Sequence, residues 1–349
     1  MGLVTQWQKI RKNPLNQRRW TQFKNNRRGY YSLWIFCIMF GLSLFAEFIA
    51  NDQPVVVRYQ SQWHFPVLFD YSELDYGGDF EIAADYRDPY IQDLINAEGS
   101  IYWPLVRFSF DTINFDLKQP APSPPSRVNI LGTDDQGRDV FARLLYGFRI
   151  SVLFSLVLSI ASSIIGVTVG AIQGYFGGKV DLIGQRFIEI WSGMPQMFLL
   201  IILASLVQPH FWWLLGIMLM FSWMSLVDVV RAEFLRGRNL EYVKAARALG
   251  LTDSSIMRKH ILPNAMIATM TFLPFIFIGG LTALTGLDYL GFGLPPGSPS
   301  LGELVAQGKN NLQAPWLGLT AFFSLSVMLV LLVFIGEAAR DAFDPRGRY

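Results

Sequence analysis

The chain has 349 residues, 52% of them hydrophobic, and a mean hydropathy of +0.31, too apolar for a soluble domain and too polar for spans throughout. One cysteine, Cys37, and three scattered histidines, His64, His210 and His260, exclude a disulfide framework and show no metal-ligand spacing. The formal net charge of +2 hides a strong asymmetry: residues 1–30 hold Lys9, Arg11, Lys12, Arg18, Arg19, Lys24, Arg27 and Arg28 and no acid. Such a run suits a nucleic-acid backbone or a membrane surface. Directly before an apolar segment it reads as a cytosolic flank held by anionic lipid headgroups, without nucleic acid as a partner.

In chain order, residues 1–30 form the basic tail and 31–50 the first span, its apolar part running from Ser32 to Ile49, about the length a bilayer core requires. The segment lacks a small-residue cleavage site and is expected to stay as an anchor. Residues 51–130 make a long outer segment. From Asn51 to Arg149 acids outnumber bases about two to one, and Tyr71 to Tyr102 mixes aromatics with acids, as a small cap would. Pro120, Pro122, Pro124 and Pro125 make an extended linker.

Residues 131–349 are expected to form the core. Leu131 to Asp139 reads Leu-Gly-Thr-Asp-Asp-Gln-Gly-Arg-Asp, in which Thr133 and Gln136 fit a capping box and Asp134, Asp135 and Asp139 cap a helix and pair with Arg138. Val140, Phe141, Leu144, Leu145 and Phe148 then predict an amphipathic helix on the outer face. The second span, Val152 to Ile172, carries Ser162 and Gly166, with Gly170 and Gly174 following at the same four-residue interval, a spacing that lets two helices approach closely. Gly177-Gly178-Lys179 is not a phosphate loop, because Gln173 and Val180 occupy the places of the required glycine and hydroxyl residue. The third span, Phe187 to Val207, is broken at Gly193-Met194-Pro195, either a packing kink or a border of the transport path. After a turn at Gln208-Pro209-His210, Phe211 to Val230 is the fourth span, with Asp228 and Arg231 placed to pair.

Residues 231–265 are polar, basic and rich in helix formers. Tyr242, Ala245, Ala246 and Leu249 form one stripe of a helix that Gly250 ends, Thr252 suits the N-cap of a second helix, and Pro263 suits the first turn of a third. Such a hairpin either rests on headgroups or docks its small-residue face in a partner's groove. Met266 to Leu287 is the fifth span, loosened by Pro274 and Gly279-Gly280. The charge-poor outer loop Asp288 to Pro315 follows, then Trp316 to Glu337 as the sixth span, and a tail with Arg340, Arg346 and Arg348. Basic residues gather in the amino tail, the Lys179 to Arg186 turn, the 231–265 loop and the carboxyl tail, which predicts both termini cytosolic.

Glu241-Tyr242-Val243-x-Ala245-Ala246-Arg247-Ala248-Leu249-Gly250, with His260-Ile261-Leu262-Pro263-Asn264, resembles the EAA loop of permease subunits of binding-protein-dependent ABC importers, in the dipeptide and oligopeptide branch. The Gly-Thr-Asp-x-x-Gly-Arg-Asp block and Gly291-Phe292-Gly293-Leu294-Pro295-Pro296 are similar to blocks at the same places in that branch, so the likeness covers about Leu131 to Ala339. One departure is Lys244, at the position that is usually acidic. The resemblance implies a bacterial inner membrane and an all-α polytopic membrane protein of the type I importer (MetI-like) fold, with six transmembrane helices and an extended periplasmic segment between the first two. It implies Glu241, Tyr242, Ala245, Ala246, Leu249, Gly250, Leu262 and Pro263 at the ATPase contact, Ala246 the sharpest probe among them, and Met194, Pro195 and Pro274 along the pathway. It also implies a second homologous permease, ATP-binding subunits and a periplasmic peptide-binding protein as partners, no catalytic site or cofactor, and oligopeptides or the peptide-nucleotide antibiotic microcin C as cargo. Other readings are a permease for another small solute such as nickel or glutathione, a secondary transporter or channel, and a membrane-embedded enzyme. Sparse midspan charge and no evident inverted repeat weigh against the transporter or channel, and no His-Glu-x-x-His or Gly-x-Ser-x-Gly weighs against the enzyme.

Overall fold

The computed structural model describes residues 14–208 and 210–343. Lys9, Arg11 and Lys12, Pro209 of the expected turn, and Arg346 and Arg348 lie outside the described residues. The helices are α1 (Pro14–Asn25), α2 (Arg27–Leu44), α3 (Ala46–Ile49), α4 (Pro89–Glu98), α5 (Val140–Phe176), α6 (Gly178–Ser192), α7 (Gln196–Leu206), α8 (Phe211–Ser222), α9 (Met224–Gly237), α10 (Glu241–Ala248), α11 (Asp253–Ile256), α12 (Leu262–Tyr289), α13 (Leu301–Asn310) and α14 (Pro315–Phe343). Three strands, β1 (Val56–Tyr59), β2 (Gln62–His64) and β3 (Gly99–Tyr102), correct the all-α expectation locally.

Two compact units divide the chain. One holds the residues up to Ile38, Val152–Leu284 and those from Ser326 on; the other holds Met39–Ser151 and Thr285–Leu325.

In the first unit the small-residue stripe of α5 meets α9 at backbone distance. A Cβ on Gly166 would lie 2.5 Å from the Trp223 carbonyl oxygen, one on Gly170 2.7 Å from that of Val227, and one on Gly174 2.5 Å from that of Arg231. Above them Ser162 Oγ donates to Ser222 Oγ at 2.8 Å. The spacing thus does what its sequence predicts. Two helix pairs are bent. α6 and α7 meet at 75° across Gly193-Met194-Pro195, and α8 and α9 at 41° across Trp223, where no proline announces the break. There Ser222 Oγ donates to Met218 O at 2.9 Å and Leu226 N–H turns back to Trp223 O, which tightens the turn locally. Arg231 does not pair with Asp228. It reaches across to Asp181 of α6, Nη2 to Oδ2 at 2.7 Å, while Gln185 takes the Asp228 carboxylate.

In the second unit the expected cap is a small antiparallel sheet, order β2-β1-β3, with Val57 opposite His64 on one side and Ile101 on the other. Val57, Tyr59, Tyr76, Tyr86, Ile91 and Ile95 form its core, with α4 covering them. The aromatic and acidic residues of this stretch separate by role. Tyr76 and Tyr86 are buried and share a 3.0 Å hydroxyl contact, whereas Asp75, Asp79, Glu81 and Asp85 stay exposed. Burial pushes the Tyr76 phenol up to about 12 and raises that of Tyr86 as well.

The 131–139 block is a tight turn, not the start of a helix. Thr133 Oγ1 accepts from Ser123 N–H at 2.8 Å, so the expected capping box does not form. Asp139 caps α5 instead, accepting from Ala142 N–H at 2.9 Å and Asn129 Nδ2 at 2.9 Å. α5 then runs unbroken for 37 residues, about 55 Å, so the separate amphipathic helix and second span of the sequence reading are one element.

Among the described residues three segments are long and apolar enough to cross a membrane, α5, Asp253–Tyr289 and α14, and five if each bent pair counts as one. The first expected span is α2, which opens on Arg27 and Arg28 and stops at Leu44, a turn short of its expected end.

Candidate functional site

The 231–265 loop is built around one short helix. α10 starts at Glu241 after an extended Leu240 and ends at Gly250, whose φ of +81° is the left-handed conformation that a Cβ would strain. Gly250 N–H reaches Arg247 O at 3.0 Å and Leu251 N–H reaches Ala246 O at 3.2 Å, which closes the carboxyl end. Thr252 stands at the N-cap of α11, but its side chain makes no cap bond. After α11 the turns widen to a π-helix at Met257–Ile261 and run on into α12, where the expectation was a fresh start at Pro263. Pro263 has no N–H to give a carbonyl four residues back, and a wider turn just before it absorbs the mismatch.

The inward face of α10 differs from the stripe read in the sequence. Val243 and Ala246, 1% and 6% exposed, pack with Ala171, Tyr175, Phe234 and Ile261 of the same unit. Ala246 therefore helps hold the loop to its own unit. Tyr242, Ala245 and Leu249 face outward, Leu249 at 81% exposure, as does Gly250. The exposed Tyr242, Ala245 and Leu249 keep the i, i+3, i+7 spacing, while Ala246 of the expected stripe turns inward. Glu241 is exposed and accepts from Lys244 Nζ at 2.9 Å, an ion pair within one turn. Leu262 packs partly against the same core, and Pro263 is exposed beside it.

Two tyrosines tie the hairpin together. Tyr242 donates its hydroxyl to His260 O at 3.3 Å and accepts from Asn264 Nδ2 at 3.3 Å, which fixes α10 against the π turn. From the end of α5, Tyr175 accepts from Arg247 Nη2 at 2.9 Å and donates to the Asp253 carboxylate. The bond to Tyr175 holds the Arg247 guanidinium above its ordinary range. Sequence reading passed over Tyr175, Arg238 and Asp253; a tyrosine at the polar end of an apolar helix, just before two glycines, was the available signal.

The expected pathway residues lie apart from this loop. Met194 and Pro195 sit at the 75° bend, half-buried and exposed, and Pro274 lies inside an unbroken α12, next to Gly336 of α14. Among the described residues no hydrogen bond joins the first pair to Pro274.

A second polar cluster lies in the other unit, where Arg138 pairs with Asp134 as its sequence suggests while the parts of Glu303 and Arg143 were not foreseen. Glu303 of α13 accepts from Arg138 Nη2 at 3.0 Å and Arg143 Nη2 at 2.8 Å, and Asp134 accepts from Arg138 Nε at 2.7 Å. Burial, the largest single influence, would lower Arg138, but the hydrogen bonds and charges of Asp134 and Glu303 together outweigh it and the net direction is up. Burial raises Asp139 and Asp135. The charges are mutually paired, and no group of His, Cys, Asp or Glu among the described residues has the arrangement of a metal site. The cluster fixes α13 to the turn ahead of α5. Its signal in the sequence was Glu303, one of three charged residues in a charge-poor loop.

Comparison with known proteins puts the loop in context. A family model for the "Binding-protein-dependent transport system inner membrane component" matches residues 166–349, and one for the "N-terminal TM domain of oligopeptide transport permease C" matches residues 5–64. The "Inner membrane ABC transporter permease protein YejE" of Escherichia coli K12 is 62% identical over 335 residues, covering 96% of this chain and 98% of that one. The "Peptidoglycan transport system permease protein YejE" of Agrobacterium fabrum is 57% identical over 96% of this chain and 94% of its own. The "Oligopeptide transport system permease protein OppC" of Lactococcus lactis is 33% identical over 64% of this chain and 78% of its own.

Proposed function

The chain belongs to the binding-protein-dependent transport system inner membrane components, and from that membership we propose that it is the peptide-conducting permease of an ATP-driven ABC importer in a bacterial inner membrane. A permease is a transport subunit, so ATP hydrolysis falls to its partners. The observation that carries the coupling part of the proposal is the outward row Tyr242, Ala245 and Leu249 on a helix anchored from behind by Val243 and Ala246. An apolar residue left 81% exposed on a short polar helix is a contact awaiting a partner. In this reading an ATPase cleft grips that row beside Glu241, Gly250, Leu262 and Pro263, and its closure on ATP moves the loop.

The finer reading has six spans, α2 first, with both termini cytosolic and the cap built on β1–β3 in the periplasm. The basic amino-terminal flank supports that orientation. A second, homologous permease completes the pathway, lined here by Met194, Pro195 and Pro274, while the exposed acids of the cap meet a binding protein that delivers cargo. Oligopeptides or peptide-bearing cell-wall fragments are the favoured cargo, on the names of the relatives, and microcin C is a candidate.

Copurification from membranes, followed by uptake in vesicles, tests the proposal. The chain is expected to bring down an ATPase, and Ala245→Arg is expected to leave the chain folded and inserted while cutting that association at least tenfold, a cost of about 1.4 kcal/mol. Unchanged association in the variant contradicts the docking row.

A further inference from the structure

We propose that Tyr175 is the positioning residue through which movement of the 231–265 loop reaches the long helix α5, its hydroxyl pinning α10 and α11 together to the end of that helix. The inference rests on the coupling reading above and names the joint that reading requires.

Four contacts converge on this one residue, all in the same unit. Tyr175 is 3% exposed and stands one position before the end of α5. Arg247 of α10 donates Nη2 to its hydroxyl at 2.9 Å and lays its guanidinium 5.4 Å from the ring centroid. The hydroxyl donates in turn to Asp253 of α11. Arg238, just past α9, donates Nη1 to the Tyr175 carbonyl at 3.2 Å. That guanidinium lies over Gly177, where a Cβ would overlap it, and Gly177 also has a φ of +62°. Glycine at 177 is therefore what lets Arg238 reach the helix end.

The chemistry calls for a hydroxyl. Only a group that accepts and donates at once bridges a guanidinium and a carboxylate without a charge of its own. Phenylalanine would keep the ring and its burial against Ala246 and Phe234, while Arg247 and Asp253, both solvent-exposed, would turn to water. Packing and linkage are thus separable at this position. α5 is itself locked to α9 through Gly166, Gly170 and Gly174, so a displacement of α10 and α11 passed to Tyr175 moves a rigid pair and is not absorbed locally.

The test uses the whole importer, with ATPases and second permease, in vesicles, and reads peptide accumulated per ATP hydrolysed. Tyr175→Phe is expected to retain the ATPases and their hydrolysis rate and to lower the ratio about fivefold or more. Asp253→Ala should lower it too, Asp253→Asn, which keeps the acceptor oxygen, should preserve most of it, and Tyr175→Phe with Asp253→Ala should be no worse than Tyr175→Phe alone. A wild-type ratio in Tyr175→Phe, full additivity in the double variant, or joint loss of assembly and hydrolysis overturns the joint. Wild-type importer that accumulates no peptide with ATP removes the coupling reading and the joint with it; wild-type coupling beside an unaltered Tyr175→Phe removes the joint alone.

Discussion

At the residue scale, two polar groupings hold the second unit, Glu303 with its arginines and Tyr76 with Tyr86. Glu303 answers two guanidiniums, of which Arg143 is fully buried, so removing its carboxylate leaves Asp134 as the one carboxylate pairing two buried positive charges. Glu303→Ala is expected to cost about 3 kcal/mol in thermal or denaturant unfolding, and Glu303→Gln clearly less. The Tyr76 and Tyr86 pair supplies a pH dependence. Both phenols sit above their ordinary value of 10.0, Tyr76 at about 12, because burial disfavours the phenolate. The unfolded chain ionises first, so the stability the pair contributes is complete below pH 10 and is lost as pH rises through 12. Phenolate absorbance followed with cap unfolding should show ionisation delayed beyond 10 and coincident with loss of structure; ordinary tyrosine titration in the intact cap would contradict it.

At the scale of elements, close packing of α5 on α9 is the feature most sensitive to change. A leucine at Gly170 has no room against the Val227 carbonyl, and Gly170→Leu is expected to separate the two helices and sharply lower the thermal midpoint in detergent, where Gly216→Leu, whose Cβ meets nothing within 4 Å, changes it little. The same elements show which signals are local. Small residues at four-residue spacing, the helix from Glu241 to Ala248 and the turn at Gly250 were legible because each is set by nearby sequence. The bend at Trp223 was not, since it arises from serine hydroxyls that compete for helix carbonyls. Nor was the inward turn of Ala246, because Tyr242, Ala245, Ala246 and Leu249 span a wide arc, and which edge is buried depends on Tyr175 and Phe234 arriving from elsewhere in the chain. Arg231 similarly took Asp181 of another helix over Asp228 of its own.

At the scale of the whole molecule, the family and the bundle of apolar helices follow from composition and from three short blocks, whereas the mixed nature of the cap did not. Alternating Tyr and Asp over 71–90 has neither helical nor strand period, and its core forms only when β1, β3 and α4 bring Val57, Ile91 and Ile95 against the tyrosines. In the proposed mechanism, the chain is a conduit whose work is supplied from outside, through the outward row of α10. The most direct test is peptide accumulation in vesicles that hold the purified chain with its copurifying permease, with and without the ATPases and ATP. Accumulation only when ATPases and ATP are both present, abolished by Ala245→Arg with the chain still inserted, is the expected result; concentrative uptake by the chain without any nucleotide-hydrolysing partner would contradict the account.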